Sequence, residues 1–131
     1  MSGITELDEL LRSMSPELKE PEFVFCTVAG NLCDYLALSP VATFIESEGL
    51  TLVLEKSCAE RANLQFEGSF RQITLTVHSS LEAVGLTAAV SAKLASKGIS
   101  ANVLAAYYHD HIFVQSSKAE AALLALQEFN I

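Results

Sequence analysis

Ser79-Ser80-Leu81-Glu82-Ala83-Val84-Gly85-Leu86 is the stretch whose reading decides the fold. Before it, Phe70 to His78 alternates, with Ile73, Leu75 and Val77 on one side and Thr74 and Thr76 on the other, the period of a strand. After it, Leu86, Ala89, Val90 and Leu94 recur at helical spacing, which predicts a helix to about Lys97. Gly98 then reads as a left-handed terminator with Ile99 as its hydrophobic partner. A helix that opens directly behind a strand offers backbone N–H groups and the positive end of its dipole, which suits a small anion such as a carboxylate. The plainer reading is that Gly85 only permits a tight strand-to-helix turn.

Downstream, Ile99 to Tyr108 and His111 to Gln115 form a predicted hairpin around His109-Asp110. Ser117 with Glu120 makes a capping box for a last helix lined by Ala119, Ala122, Leu123 and Leu126. Upstream, a helix begins near Thr5 with Leu7, Leu10, Leu11 and Met14 on one face, and Ser15-Pro16 and Pro21 end it. It reads as a lid, an interface helix or a small appendage. Phe23 to Val28 reads as a buried strand, and Asn31 to Ser39 has room for two helical turns at most. Val41 to Ser47 and Leu50 to Glu55 form a hairpin through Glu48-Gly49, and Ser57 with Glu60 caps a short helix through Leu64.

This order contains a repeat. Leu52, Leu54, Ser57 and Glu60 recur sixty positions on as Ile112, Val114, Ser117 and Glu120. Each copy reads strand, crossover, hairpin, helix, but the first crossover is shorter. Each copy is βαββα, so a ferredoxin-like βαββαβ sandwich needs one more strand, which the halves can supply to each other. The expected architecture is α+β, with two interlocked halves whose antiparallel sheets are covered by helices. The expected divisions are a helix over 1–20, a degenerate half over 21–66 and a full half over 67–131.

Composition narrows the partners. The 131 residues are 50% hydrophobic, enough for a core, and the net charge is −8 with only 8 Lys and Arg. That balance disfavours nucleic acid and anionic membrane surfaces. No apolar run approaches the ~18 residues of a membrane span. The N-terminus has no basic region followed by an apolar one, so a cytoplasmic location is expected. Cys26, Cys33 and Cys58 lack metal spacing and are odd in number, and Cys26 reads as a small buried hydrophobe.

From Thr76 through Gly85-Leu86 to Lys97-Gly98-Ile99-Ser100, then Asn102-Val103 and the Tyr107 to Val114 hairpin, the chain resembles an ACT domain. That family has a strand, a loop ending in Gly-Leu, a helix and a Gly-Ile that opens the second strand. The whole chain is similar to small bacterial stand-alone proteins with two ACT-like halves. The resemblance implies a non-enzymatic regulatory module that binds an amino acid. The carboxylate would be held around Leu81, Glu82, Ala83, Val84, Gly85 and Leu86, and the amine near Asn102 and Val103. The sequence departs from the family at Glu82-Ala83-Val84, and the expectation is that any regulated catalytic activity lies in another chain.

His109-Asp110-His111 is the competing cluster. Asp110 falls at the predicted turn, where its side chain favours local backbone bonding, and no full ligand set accompanies the two histidines. The cluster reads as a turn, with His109 and Asp110 kept as polar contacts to a ligand. No nucleophile elbow, Walker loop or dinucleotide fingerprint occurs. No catalytic residue, metal or cofactor is expected, and the third reading, a small hydrolase or isomerase using His109 and His111, has no substrate. The alternative to ligand binding is an interaction or oligomerisation domain, a homodimer in its simplest form.

Overall fold

Prolines do not end the chain's first extended segment. In the computed structural model, which describes residues 6–77 and 85–130, strand β1 spans Pro16–Val28 and takes in both Pro16 and Pro21. The expected start near Phe23 is therefore too late. Proline lacks only a donor, so a strand tolerates it where no ladder bond needs one. The chain divides into two compact units, Pro21–Phe70 and Met1–Glu20 with Arg71–Ile131. The second of these is assembled from both ends of the sequence.

In the unit Pro21–Phe70, β1 pairs antiparallel with β3 (Gly49–Glu55), from Phe23 opposite Glu55 to Val28 opposite Leu50. Strand β2 (Ala42–Glu46) pairs on the other side of β3, with Glu46 opposite Gly49. The hairpin turn is thus Ser47-Glu48, one residue earlier than Glu48-Gly49. Leu50, Leu52 and Leu54 alternate onto one face and bury with Val24, Cys26 and Ala59. The crossover is a 3-10 helix, Leu32–Leu38, whose Leu32, Tyr35 and Leu38 pack on that cluster. Helix α2 (Lys56–Arg61) follows β3 without a linker. Ser57 therefore already occupies a helical position, and the expected capping box does not form. Burial also pushes the Cys26 thiol up, which keeps it neutral.

The other unit holds β4 (Phe70–Leu75) from Arg71 onward, α3 (Leu86–Ser96), β5 (Asn102–Ala105), β6 (Asp110–Gln115) and α4 (Ala119–Gln127). The strand order is β4-β6-β5, and β5 runs antiparallel to β6 from Asn102 opposite Phe113 to Ala105 opposite Asp110. Ile73, Leu75, Val77, Ile112 and Val114 form the sheet side of one core. Leu86, Val90 and Leu94 of α3, four residues apart, and Ala122 and Leu126 of α4 form its helical side. The paired repeat positions Leu52, Leu54, Ile112 and Val114 are all fully buried. Ser117 lies inside a 3-10 turn, Ser116–Lys118, so the second expected capping box is also absent.

Helix α3 ends as expected. Ile99 N–H donates to Leu94 O at 2.9 Å and Gly98 N–H to Ala95 O at 2.9 Å, the paired bonds of a Schellman motif.

Helix α1 (Leu7–Ser13) belongs to this core as well: Leu10 and Met14 are fully buried in it. The Asn130 amide closes its C-terminal end, donating to the carbonyls of Met14 at 2.7 Å, Arg12 at 3.3 Å and Leu11 at 3.4 Å. Carbonyls in the last turn of a helix have no partner of their own. Asn130→Ala is therefore expected to cost about 1 kcal/mol in chemical denaturation, comparable with a lost cap. Its effect on hydrogen exchange should concentrate in α1.

Candidate functional site

Gly85 stands where strand, loop and helix were expected to meet. It is the N-cap of α3 with φ +100° and ψ −17°, a conformation that L side chains rarely adopt, and its carbonyl accepts from Ala89 N–H at 2.8 Å. Leu86, the first helical residue, is buried in the core. Leu81, Glu82, Ala83 and Val84 lie outside the described residues, as does His78. A methyl group on Gly85 would sit 3.2 Å from Leu7 Cδ2, so the side chain of Leu7 from α1 covers this face of the junction. Nothing near residue 7 or 85 in the sequence signals that contact.

Of the residues expected to meet a ligand amine, Asn102 donates its amide to Phe113 O at 3.1 Å across the β5–β6 pair. Val103 is half-buried and packs against the core. Asp110 opens β6 opposite Ala105 and is not in the turn, which is Ala106 to His109, closed by Ala106 N–H donating to His109 O at 3.1 Å. Burial raises the Asp110 carboxyl, against the lowering influence of His111 and His109. His109 Nδ1 lies 3.4 Å from Val77 O, which brings the β5–β6 turn beside the end of β4. Among the described residues no group of three or more His, Cys, Asp or Glu is placed to hold a metal.

Two features went unread in the sequence. The first is a polar triad of buried Gln72 and Thr74 with half-buried His111: His111 Nδ1 lies 3.0 Å from Thr74 Oγ1 and 3.1 Å from Gln72 Nε2, and Gln72 Nε2 donates to Thr74 Oγ1 at 3.0 Å. Gln72 and Thr74 are buried although they face away from the helices. Burial pushes the His111 pKa down; His109 and Lys19 act in the same direction and Asp110 opposes them. The stabilising form is then the neutral imidazole, fully in place above the unfolded value near ~6.5. As pH falls below it and through the folded value, the unfolded chain takes up a proton first and stability is lost. Asp110, raised, acts with the opposite sign in more acidic solution. We expect denaturation midpoints to fall as pH drops below ~6.5, and His111→Gln to flatten that slope. An unchanged slope would remove His111 as its cause.

The second feature is a cavity of about 280 Å³ in the unit Pro21–Phe70, between the end of β1 and the β2–β3 turn. Gly30, Asn31, Glu46 and Glu48 are among its lining. Gly30, with φ +105°, stands between β1 and the 3-10 helix as Gly85 does between β4 and α3. The strand–Gly–helix junction thus recurs in both units, and a sequence search for glycine at the end of each entry strand would have found it.

Comparison with known proteins agrees with this repetition. Residues 2–71 match one ACT-domain family model and residues 67–128 another. No curated protein matches the sequence. A crystal structure of a protein of unknown function from Vibrio cholerae, described as a possible transport protein, is 63% identical. It superposes with a TM-score of 0.90 over 99% of this chain and 100% of that one. The ligand-free regulatory subunit of aspartate kinase from Thermus thermophilus is 12% identical, with a TM-score of 0.66 over 90% of this chain and 97% of its own. E. coli aspartokinase III, in complex with aspartate and ADP, is 13% identical, with a TM-score of 0.64 over 88% of this chain and 33% of its own. At such identities the kinase likeness is one of fold. The α+β architecture, the two strand–Gly–helix junctions and the two family matches give one conclusion: the chain belongs to the ACT-domain family, with one ACT domain in each half.

Proposed function

We propose that the protein is a non-enzymatic regulatory module that binds a small ligand, an amino acid, at the strand-loop-helix junction near Gly85. The observation that carries this reading is a left-handed glycine between strand and helix in each of two ACT halves, at Gly30 and Gly85. In this reading the segment Leu81 to Leu86 receives the carboxylate, since the first N–H groups of α3 lack intrahelical partners. Asn102 and Val103 flank the amine, and His109 and Asp110 supply polar contacts. The halves over 21–66 and 67–131 exchange strands, and the protein works in the cytoplasm. Aspartate in the E. coli aspartokinase structure supports the ligand class.

Calorimetric titration and thermal-shift measurement with each of the twenty common amino acids test this. Binding raises the melting temperature by mass action, and a ligand at about a hundred times its Kd adds about 2.7 kcal/mol. If none of the twenty shifts the melt or produces heat, the ligand reading fails.

A second reading has its own observation. Strand β2 stands at the end of the order β2-β3-β1 and exposes 69% of Phe44 and 82% of Ile45. An edge strand with large apolar side chains on both faces is suited to pairing with another chain. This favours an interaction or homodimerisation domain, insensitive to metabolites. Light scattering of the wild type and of Ile45→Lys separates the two: a dimer lost in the variant and unaffected by amino acids favours the second.

A further inference from the structure

Helix α1 is fastened unequally at its two ends. Its C-terminal end is held by buried Leu10 and Met14, by the Asn130 amide, and by Ser15 O, which accepts from Thr76 N–H at 2.9 Å. Its N-terminal end has no side-chain cap: the N-cap is Glu6, and its side chain makes no capping bond. A seven-residue helix is too short to persist without such tethers. Leu7 sits at the loose end, and it is the residue whose Cδ2 lies 3.2 Å from where a Gly85 side chain would begin.

We infer that α1 is a strap over the Gly85 junction, hinged at Met14 to Pro16 and displaced whenever the space in front of Gly85 is filled. The reasoning is steric. A distance of 3.2 Å is inside normal carbon–carbon contact, so a Cβ there makes the Leu7 side chain give by a few tenths of an ångström, and a larger occupant must move it further. Displacement begins at the uncapped end, where among the described residues no side-chain cap resists it. Leu10 and Met14 stay in the core while the first turn opens. This inference rests on the ligand reading only for the identity of the natural occupant. A ligand at the junction would then be sensed as movement of α1, and the regulated output would be the surface that α1 uncovers or presents.

A methyl group can stand in for the occupant. Hydrogen–deuterium exchange of the full chain, wild type against Gly85→Ala, reads the effect with no ligand needed. We expect the Leu10 amide, which donates to Glu6 O at 2.9 Å, to exchange on the order of tenfold faster in the variant. The Leu52 and Leu54 amides of β3 should stay unchanged. Shortening the strap relieves the clash: adding Leu7→Ala should return the Leu10 amide to the rate of Leu7→Ala alone. If Gly85→Ala leaves the Leu10 rate unchanged, or loosens β3 equally, the strap is overturned. Should Gly85→Ala fold poorly, the larger Leu7→Phe in the wild-type background crowds the same space and must also speed the Leu10 amide. Titration with amino acids decides the ligand reading separately, so either result can fail alone.

Discussion

Leu10→Ala is expected to lower the unfolding free energy by about 2–5 kcal/mol, while Leu124→Ala changes it by no more than about 0.5 kcal/mol. The chemical change is identical, and both residues are helical. Leu10 of α1 has no exposed surface, whereas Leu124 of α4 keeps 64% of its surface in solvent. Truncating Leu10 removes its transfer free energy and leaves a hole in the core cluster to which Met14, Ile73 and Leu86 also belong. Protein interiors are close-packed and relax only partially around a truncated side chain, so the walls are not expected to close fully on it. Chemical denaturation of the two variants beside the wild type measures the difference. Two similar small effects would mean that α1 adds little to the core and is a detachable appendage. That outcome would also undercut its role as a hinged strap, since the hinge depends on Leu10 staying in place.

The contrast also marks what could be read from the sequence. Helix α3 was legible from end to end because its signals are local: Gly85 before it, Leu86, Val90 and Leu94 along it, Gly98-Ile99 after it. The first hairpin was legible to within a residue at Ser47-Glu48, whereas the second turns at Ala106 to His109, earlier than the expected His109-Asp110, and leaves Asp110 in β6. The start of β1 was not, because Pro16 and Pro21 usually break structure, and only the pairing pattern shows whether a missing N–H matters. The Ser57/Glu60 and Ser117/Glu120 boxes failed for a different reason. A capping box depends on register to the residue, and each serine is the second residue of the turn, two positions past its N-cap. Alternation at Gln72, Ile73, Thr74 and Leu75 separated the two faces of β4 correctly. It could not say that both would be buried, which is how the His111 triad escaped notice.

The candidate site divides in the same way. Gly85 announces itself, since a glycine between a strand pattern and a helix pattern calls for a left-handed turn. Leu7 does not, because an amphipathic helix declares that it packs without declaring on what. Gly85→Ala is therefore the substitution that best separates the local requirement from the long-range one. Its backbone part, a non-glycine residue at φ +100°, costs of order 1–3 kcal/mol. Its packing part comes from the new methyl pressing on Leu7. Gly68→Ala supplies a partial reference: Gly68 also has a positive φ, +67°, but a methyl there meets nothing within 4 Å. We expect Gly85→Ala to destabilise more than Gly68→Ala. The excess should shrink by about 0.5–1 kcal/mol when Gly85→Ala is made in a Leu7→Ala background, the signature of residues in contact. A conformational penalty alone would be the same in both backgrounds, because Leu7 does not set the backbone angles of Gly85. Non-additivity in this cycle, measured by denaturant unfolding, is thus the thermodynamic counterpart of the exchange experiment. It would place Leu7 and Gly85 in one coupled unit, as a strap that answers to the junction requires.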